Sequence, residues 1–168
     1  MFNGLVLFYV GVVLILNGLW MLDRIADREI LIVNVLVGLL NLRVAHEYAF
    51  APGADPASVR AAAMGLLFAF TYLWVACNRW LGNDGRGLGW FSLLVAITVA
   101  IVALQALSRA SSGWELWAAL SWAAWALLWL LFFMLLVLGR PSPRPIGWLS
   151  IAQGVLTGWA PGFWLLQQ

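Results

Sequence analysis

Long apolar stretches alternate with short polar breaks from one end of this chain to the other, and the spacing predicts six helices. The apolar stretches run over residues 3–22, 30–50, 61–81, 88–108, 114–138 and 146–166, each near the ~20 residues that a helix needs to cross hydrocarbon. The breaks at 23–28, 51–56, 82–87, 109–113 and 139–145 carry most of the charges and five of the six prolines. Runs of this length do not alternate as barrel strands do. Backbone groups in lipid must be satisfied within their own segment, so an all-α membrane protein is expected. The start at Met1 lacks a basic n-region and flows into a full-length span, so it reads as a retained first helix rather than a signal peptide.

Within that pattern small residues mark packing faces. Gly4, Gly11 and Gly18 recur every seventh residue in the first span, and Gly154, Gly158 and Gly162 every fourth in the sixth. Such stripes let neighbouring helices approach closely. Pro161 is expected to kink the far end of the sixth span, because its ring removes a backbone hydrogen bond. A weak repeat overlies the spans: Asn34, Ser92 and Ser150 are 58 residues apart, as are Gly38, Ala96 and Gly154, while Gly4 and Gly65, like Asn17 and Asn78, are 61 apart. It points to three helical hairpins around a pseudo-threefold axis.

Composition agrees with the pattern and narrows the chemistry. Of 168 residues, 64% are apolar and 10% charged, and the mean hydropathy is +0.94, outside the soluble globular range. Residues 1–168 therefore read as one six-helix membrane domain whose connections are too short for a soluble domain. One cysteine, Cys77, and one histidine, His46, leave no disulfide within the chain and no plausible metal cluster. No cofactor is expected. All nine basic residues are Arg; Arg24, Arg28, Arg79, Arg86, Arg140 and Arg144 lie in or beside the first, third and fifth connections and only Arg60 and Arg109 in or beside the second and fourth, with Arg43 inside the second span. By the positive-inside rule the odd connections are cytoplasmic and both termini outside. The net charge of +2 is then an orientation signal and not a nucleic-acid footprint.

Polar residues inside the spans separate the kinds of membrane function. Asn17, Asn34, Asn41, Thr71, Tyr72, Ser92, Thr98, Ser121, Gln153 and Thr157 lie there, but no Asp, Glu or Lys sits near the middle of any span. A proton-coupled carrier needs an ionisable relay, and an ion channel needs charged rings or a carbonyl filter. Neither signature is present. Arg43 and Glu47 at i, i+4 read as a snorkelling pair near the end of the second span, with His46 beside them. Nor is there a nucleophile, acid–base pair or metal constellation for a membrane enzyme. Passage of a neutral solute remains, with a nonconducting structural or sensor protein as the alternative.

The richest segment is residues 114–129, where five of sixteen residues are Trp. Trp122, Trp125 and Trp129 fall at i, i+3 and i+7, on one helical face. Indoles are flat and half-polar, suited to lining a narrow path for a flat neutral solute. The same residues also form interfacial belts and packing faces in membrane helices, and the spacing by itself leaves both readings open.

Several blocks resemble one known family in content and order: GLVLFYVG at 4–11, Asn17-Gly18, GLLFAFTYL at 65–73, WAAWALLW at 122–129 and GVLTGW at 154–159. They are similar to the AmiS/UreI family of urea and amide channels, and in detail to its amide branch. The resemblance spans nearly the whole chain. It implies six-helix protomers in a hexameric ring within the bacterial inner membrane, each protomer with its own passive pore for urea, formamide or acetamide, amid membrane lipid. It also implies pore-lining roles for Leu7, Val10, Leu14 and Asn17 in the first span, Phe68 and Tyr72 in the third, and Trp122, Trp125 and Trp129 in the fifth. Trp117 fits the family's outermost Trp only with a one-residue shift. Acid-gated members carry a Glu in the sixth span where this chain has Gln153, and a long histidine-bearing first outer loop where this chain has a short histidine-free one. Both departures imply a pore without an acid gate, with Gln153 as a neutral polar group facing the Trp row.

Overall fold

The protein, described by a computed structural model over residues 2–168 with side chains from Gly4 onward, is helical along almost its whole length. Five helices, α1 (Phe2–Met21), α2 (Asp27–Phe50), α3 (Pro56–Leu81), α4 (Arg86–Leu107) and α5 (Gly113–Leu138), are followed by α6 (Pro143–Gln153), a π-helical segment (Gly154–Trp159) and α7 (Ala160–Leu166). The last three run on as one rod, so six rods stand where six spans were expected. Among the described residues there is no strand. The first five rods are each long and apolar enough to cross a membrane. Met1, where the expectation of a retained first helix begins, lies outside the described residues.

Two of the helices, α3 and α5, start ahead of their apolar runs on side-chain caps. The Asp55 carboxylate accepts the Ser58 backbone N–H at 2.7 Å while the Asp55 N–H donates to Ser58 Oγ at 2.9 Å, a reciprocal capping box ahead of Pro56. The Ser58 backbone N–H, and after it the Ser58 hydroxyl, hold the exposed Asp55 carboxyl below its ordinary value. Ser112 Oγ likewise accepts the Glu115 N–H at the start of α5. Gly82 and Gly139, both at positive φ, close α3 and α5 in left-handed caps.

The rods pack most extensively as α2 on α3, α4 on α5, and α1 on the whole of the sixth rod. These pairs are offset by one rod from hairpins formed by spans one and two, three and four, and five and six. In the third pair the glycine stripes meet. A Cβ at Gly11 would come within 2.6 Å of the Gly158 carbonyl carbon, and one at Gly158 within 2.6 Å of Gly11 N, so the two backbones touch with no room for a side chain. Ser150 Oγ also donates to the Leu14 carbonyl at 2.8 Å. Pro161 lies just past the π-helical segment. A prolyl ring crowds the carbonyl four residues before it, here Thr157, and a widened turn relieves that crowding where a simple kink was expected.

The 58-residue repeat maps onto buried positions. Asn34, Ser92 and Ser150 are each 1% exposed or less, with Ser92 Oγ donating to the Leu88 carbonyl. Asn34 Nδ2 donates to Asn17 Oδ1 at 2.7 Å, and Asn17 Nδ2 to Asn34 Oδ1 at 3.2 Å. That reciprocal amide pair ties α1 to α2.

Candidate conduction path

The first, third and fifth rods supply the aromatic and aliphatic residues that meet in the core, and two cavities open on either side of them. The lower cavity, toward the first, third and fifth connections, has a volume of about 250 Å³ and is bordered by Leu14, Asn17, Tyr72 and Trp129. The upper one, toward the termini, has a volume of about 620 Å³ and is bordered by Leu7, Val10, Trp117 and Trp122. Phe68 and Trp125 border both. The partition between the cavities is therefore a pair of aromatic side chains.

Phe68 is the hub of that partition. Its ring centroid lies 4.8 Å from Trp129, 5.1 Å from Trp125, 6.2 Å from Trp122 and 6.4 Å from Tyr72. The Phe68–Trp125 and Trp122–Trp125 pairs are both edge-to-face, with interplanar angles of 85°, the arrangement that the ring quadrupoles favour. The helical spacing explains why: Phe68 and Tyr72 are four residues apart on α3, and the Trp row occupies one face of α5.

Two threonines hold the rings. Trp125 Nε1–H donates to Thr157 Oγ1 at 2.9 Å, and that hydroxyl donates to the Gln153 carbonyl at 2.6 Å. Trp129 Nε1–H donates to Thr71 Oγ1 at 3.1 Å, and that hydroxyl donates to the Leu67 carbonyl at 2.7 Å. A hydroxyl has one proton. Each threonine gives that proton to its own helix, one turn back, and presents only lone pairs to the indole. The N–H groups of Trp125 and Trp129 are thus committed to orienting their rings, whereas the sequence invited a reading in which they meet the solute. The Trp122 N–H and the Tyr72 hydroxyl have no partner among the described residues.

Ten of the eleven expected pore residues border a cavity, and Gln153 is the exception. It is buried behind Trp125, its Nε2 donating to the Ala124 carbonyl at 3.0 Å and its Oε1 without a partner among the described residues. Trp117 sits toward the upper mouth, stacked on Trp114 at 4.5 Å with its Nε1–H toward the Leu156 carbonyl at 3.3 Å. At the lower mouth Trp20 Nε1–H donates to Asp27 at 2.6 Å, Arg79 lies 3.7 Å from the same carboxylate, and its guanidinium stands 5.4 Å from the Trp20 ring. Sequence reasoning assigned no role to this cluster or to Thr71 and Thr157. The available signal was the polar inventory of the spans, in which each threonine falls in the same aromatic-rich block as its neighbours.

This geometry has close counterparts. The crystal structure of the urea channel from Helicobacter pylori superposes with a TM-score of 0.86 at 34% identity, covering 99% of this chain and 97% of that one. A cryo-EM structure of the H. pylori urea channel in a closed state gives 0.82 at 35%, covering 98% and 97%. In sequence, a Mycolicibacterium smegmatis protein assigned as an amidate-substrate transporter is 40% identical over 96% of this chain and 75% of its own length. The acid-activated urea channel of H. pylori is 36% identical over 97% and 96%. That second match extends over 188 positions, more than this chain has residues, so the urea channel carries insertions that this chain lacks. These relatives are channels and transporters, not enzymes. With the model of the AmiS/UreI family transporters matched across residues 2–168, the chain belongs to that family.

Proposed function

We propose that this multi-pass protein of the bacterial inner membrane is a passive, bidirectional channel for urea and short-chain aliphatic amides such as formamide and acetamide. The observation that carries the reading is the partition itself: two cavities meet at Phe68 and Trp125, two uncharged aromatic side chains. A planar neutral solute passing between the rings gives up water hydrogen bonds but carries no net charge, so its desolvation costs less than that of an ion. A bare ion leaving water there faces a penalty of several kcal/mol. The Tyr72 hydroxyl offers hydrogen bonds on the lower side, and weak, repeated contacts suit conduction better than one tight site. Residue 153 acts from behind through its main chain, the Gln153 backbone carbonyl accepting the bond from the threonine that holds Trp125.

The pore works without an acid gate on this reading. Gln153 carries no proton to titrate, and the α2–α3 connection holds no histidine. The preference of Arg for the first, third and fifth connections supports cytoplasmic placement of the lower cavity, with both termini outside. The equivalent burial of Asn34, Ser92 and Ser150 supports a pseudo-threefold repeat of rod pairs. A homo-hexamer in lipid accounts for the apolar stripes left outward on single rods, such as Leu94, Ile97, Ile101 and Leu104 on α4. Stopped-flow swelling of proteoliposomes at neutral pH tests the reading. Urea, formamide and acetamide should enter faster than into protein-free vesicles, and equal rates would sink it.

A further inference from the structure

One group on the upper cavity serves neither the fold nor the held rings. Asn41 borders that cavity and is 1% exposed. Its Nδ2–H donates to the Val37 carbonyl one turn back at 2.9 Å, while its Oδ1 has no partner among the described residues. Asn17 and Asn34 differ, since each satisfies the other. A buried carboxamide oxygen without a donor is destabilising, and a hydrocarbon side chain of the same volume serves packing better. The comparable orphan, Gln153 Oε1, borders neither cavity. Asn41 is therefore a stability defect placed at the edge of the path.

The complementary group stands on the same cavity. Trp122 borders it, and its indole N–H is unclaimed among the described residues, whereas Trp125 and Trp129 commit theirs to threonines. A primary carboxamide needs an acceptor for its NH2 and a donor for its C=O. We propose that Asn41 and Trp122 form a carboxamide-recognition subsite in the upper cavity: Asn41 Oδ1 accepts an N–H of the solute, and Trp122 Nε1–H donates to its carbonyl oxygen. Ser121 lies on the same wall; its hydroxyl donates to the Trp117 carbonyl and leaves lone pairs for a second solute N–H. The subsite orients the amide before it reaches Phe68 and Trp125. This inference rests on the channel reading above, and it makes Asn41 a specificity-determining residue of that channel.

Asn41→Leu removes the oxygen and fills its space. Equilibrium exchange of radiolabelled acetamide across proteoliposomes, measured over a range of concentrations, is compared with thermal stability in detergent. The half-saturating concentration should rise at least fivefold while the maximal rate changes less than twofold, and the thermal midpoint should hold or rise because the orphan oxygen is gone. Asn41→Gln, which restores an acceptor, should recover part of the lost apparent affinity. An unchanged half-saturation in the Leu variant overturns the proposal. So does a lowered midpoint or lost assembly in both Asn41→Leu and the smaller Asn41→Ala, which would make Asn41 a packing residue. Wild-type vesicles that exchange acetamide no faster than protein-free ones overturn the channel reading itself, and this subsite with it, before any variant is compared.

Discussion

Thr157→Val tests whether the constriction depends on a ring held in place or merely on an aromatic side chain being present. Valine keeps the β-branched shape of threonine and removes the oxygen that accepts the Trp125 N–H at 2.9 Å. Trp125 is only 7% exposed, so in its present pose the indole donor is left buried and unpaired, at a cost of about 1–3 kcal/mol. The ring recovers part of that by turning its N–H toward a cavity, which means leaving its edge-to-face contact with Phe68 at 5.1 Å. Since ~1.4 kcal/mol corresponds to a factor of ten in an equilibrium, turned poses should gain about tenfold in population. Those poses narrow the passage. Acetamide flux in proteoliposomes should fall severalfold and the unfolding midpoint in detergent should drop, while Thr157→Ser, which keeps the hydroxyl, stays close to wild type in flux. A valine variant with wild-type flux and stability would refute the claim that this bond holds the ring.

Three further outcomes follow from the same geometry. Gly11→Ala places a methyl group within 2.6 Å of backbone on the sixth rod, where nothing flexible can yield; overpacking of about 1–3 kcal/mol or more should collapse the monodisperse peak in size-exclusion chromatography, and a normal peak would contradict the packing. In the Asn17–Asn34 pair, either single change to Leu should cost about 1–3 kcal/mol by orphaning the partner amide, and the double change less than the two together; additive losses in a thermal double-mutant cycle would dissolve the pair. Urea flux should stay level between pH 5 and pH 7.5, because neither Phe68 nor Trp125 nor the residues that hold Trp125 titrate in that range. A steep rise in flux below pH 6 would reveal a gate. Asp55 behaves independently of flux: its depressed pKa means that its capping contribution is present above the ordinary carboxylate value and is lost as pH falls through the folded value.

The sequence made some of this plain and hid the rest for physical reasons. Six rods were legible because lipid demands long apolar runs, and the Trp122, Trp125 and Trp129 face was legible because helical periodicity is fixed. The role of Gln153 was not. Sequence position put it in the rod that packs beside the Trp row, but the side an amide faces depends on the local winding of that rod, and a π-helical segment begins at the next residue. Thr71 and Thr157 were equally opaque, since a threonine that bonds its own helix looks the same in sequence whether or not an indole uses its second lone pair. The rod pairing went unread because connectivity fits either grouping of chain neighbours; α2 with α3 and α4 with α5 are selected once the glycine faces of Gly11 and Gly158 join the two ends of the chain.

The central claim is that neutrality, and not size or shape alone, admits a solute past Phe68 and Trp125. Urea and guanidinium share a planar, three-armed form and differ in charge, so their permeabilities in the same proteoliposomes at pH 7 give the most direct comparison. Urea should cross well above the protein-free rate and guanidinium at least tenfold more slowly than urea. Equal rates for the two, or urea no faster than through bare lipid, would contradict the account.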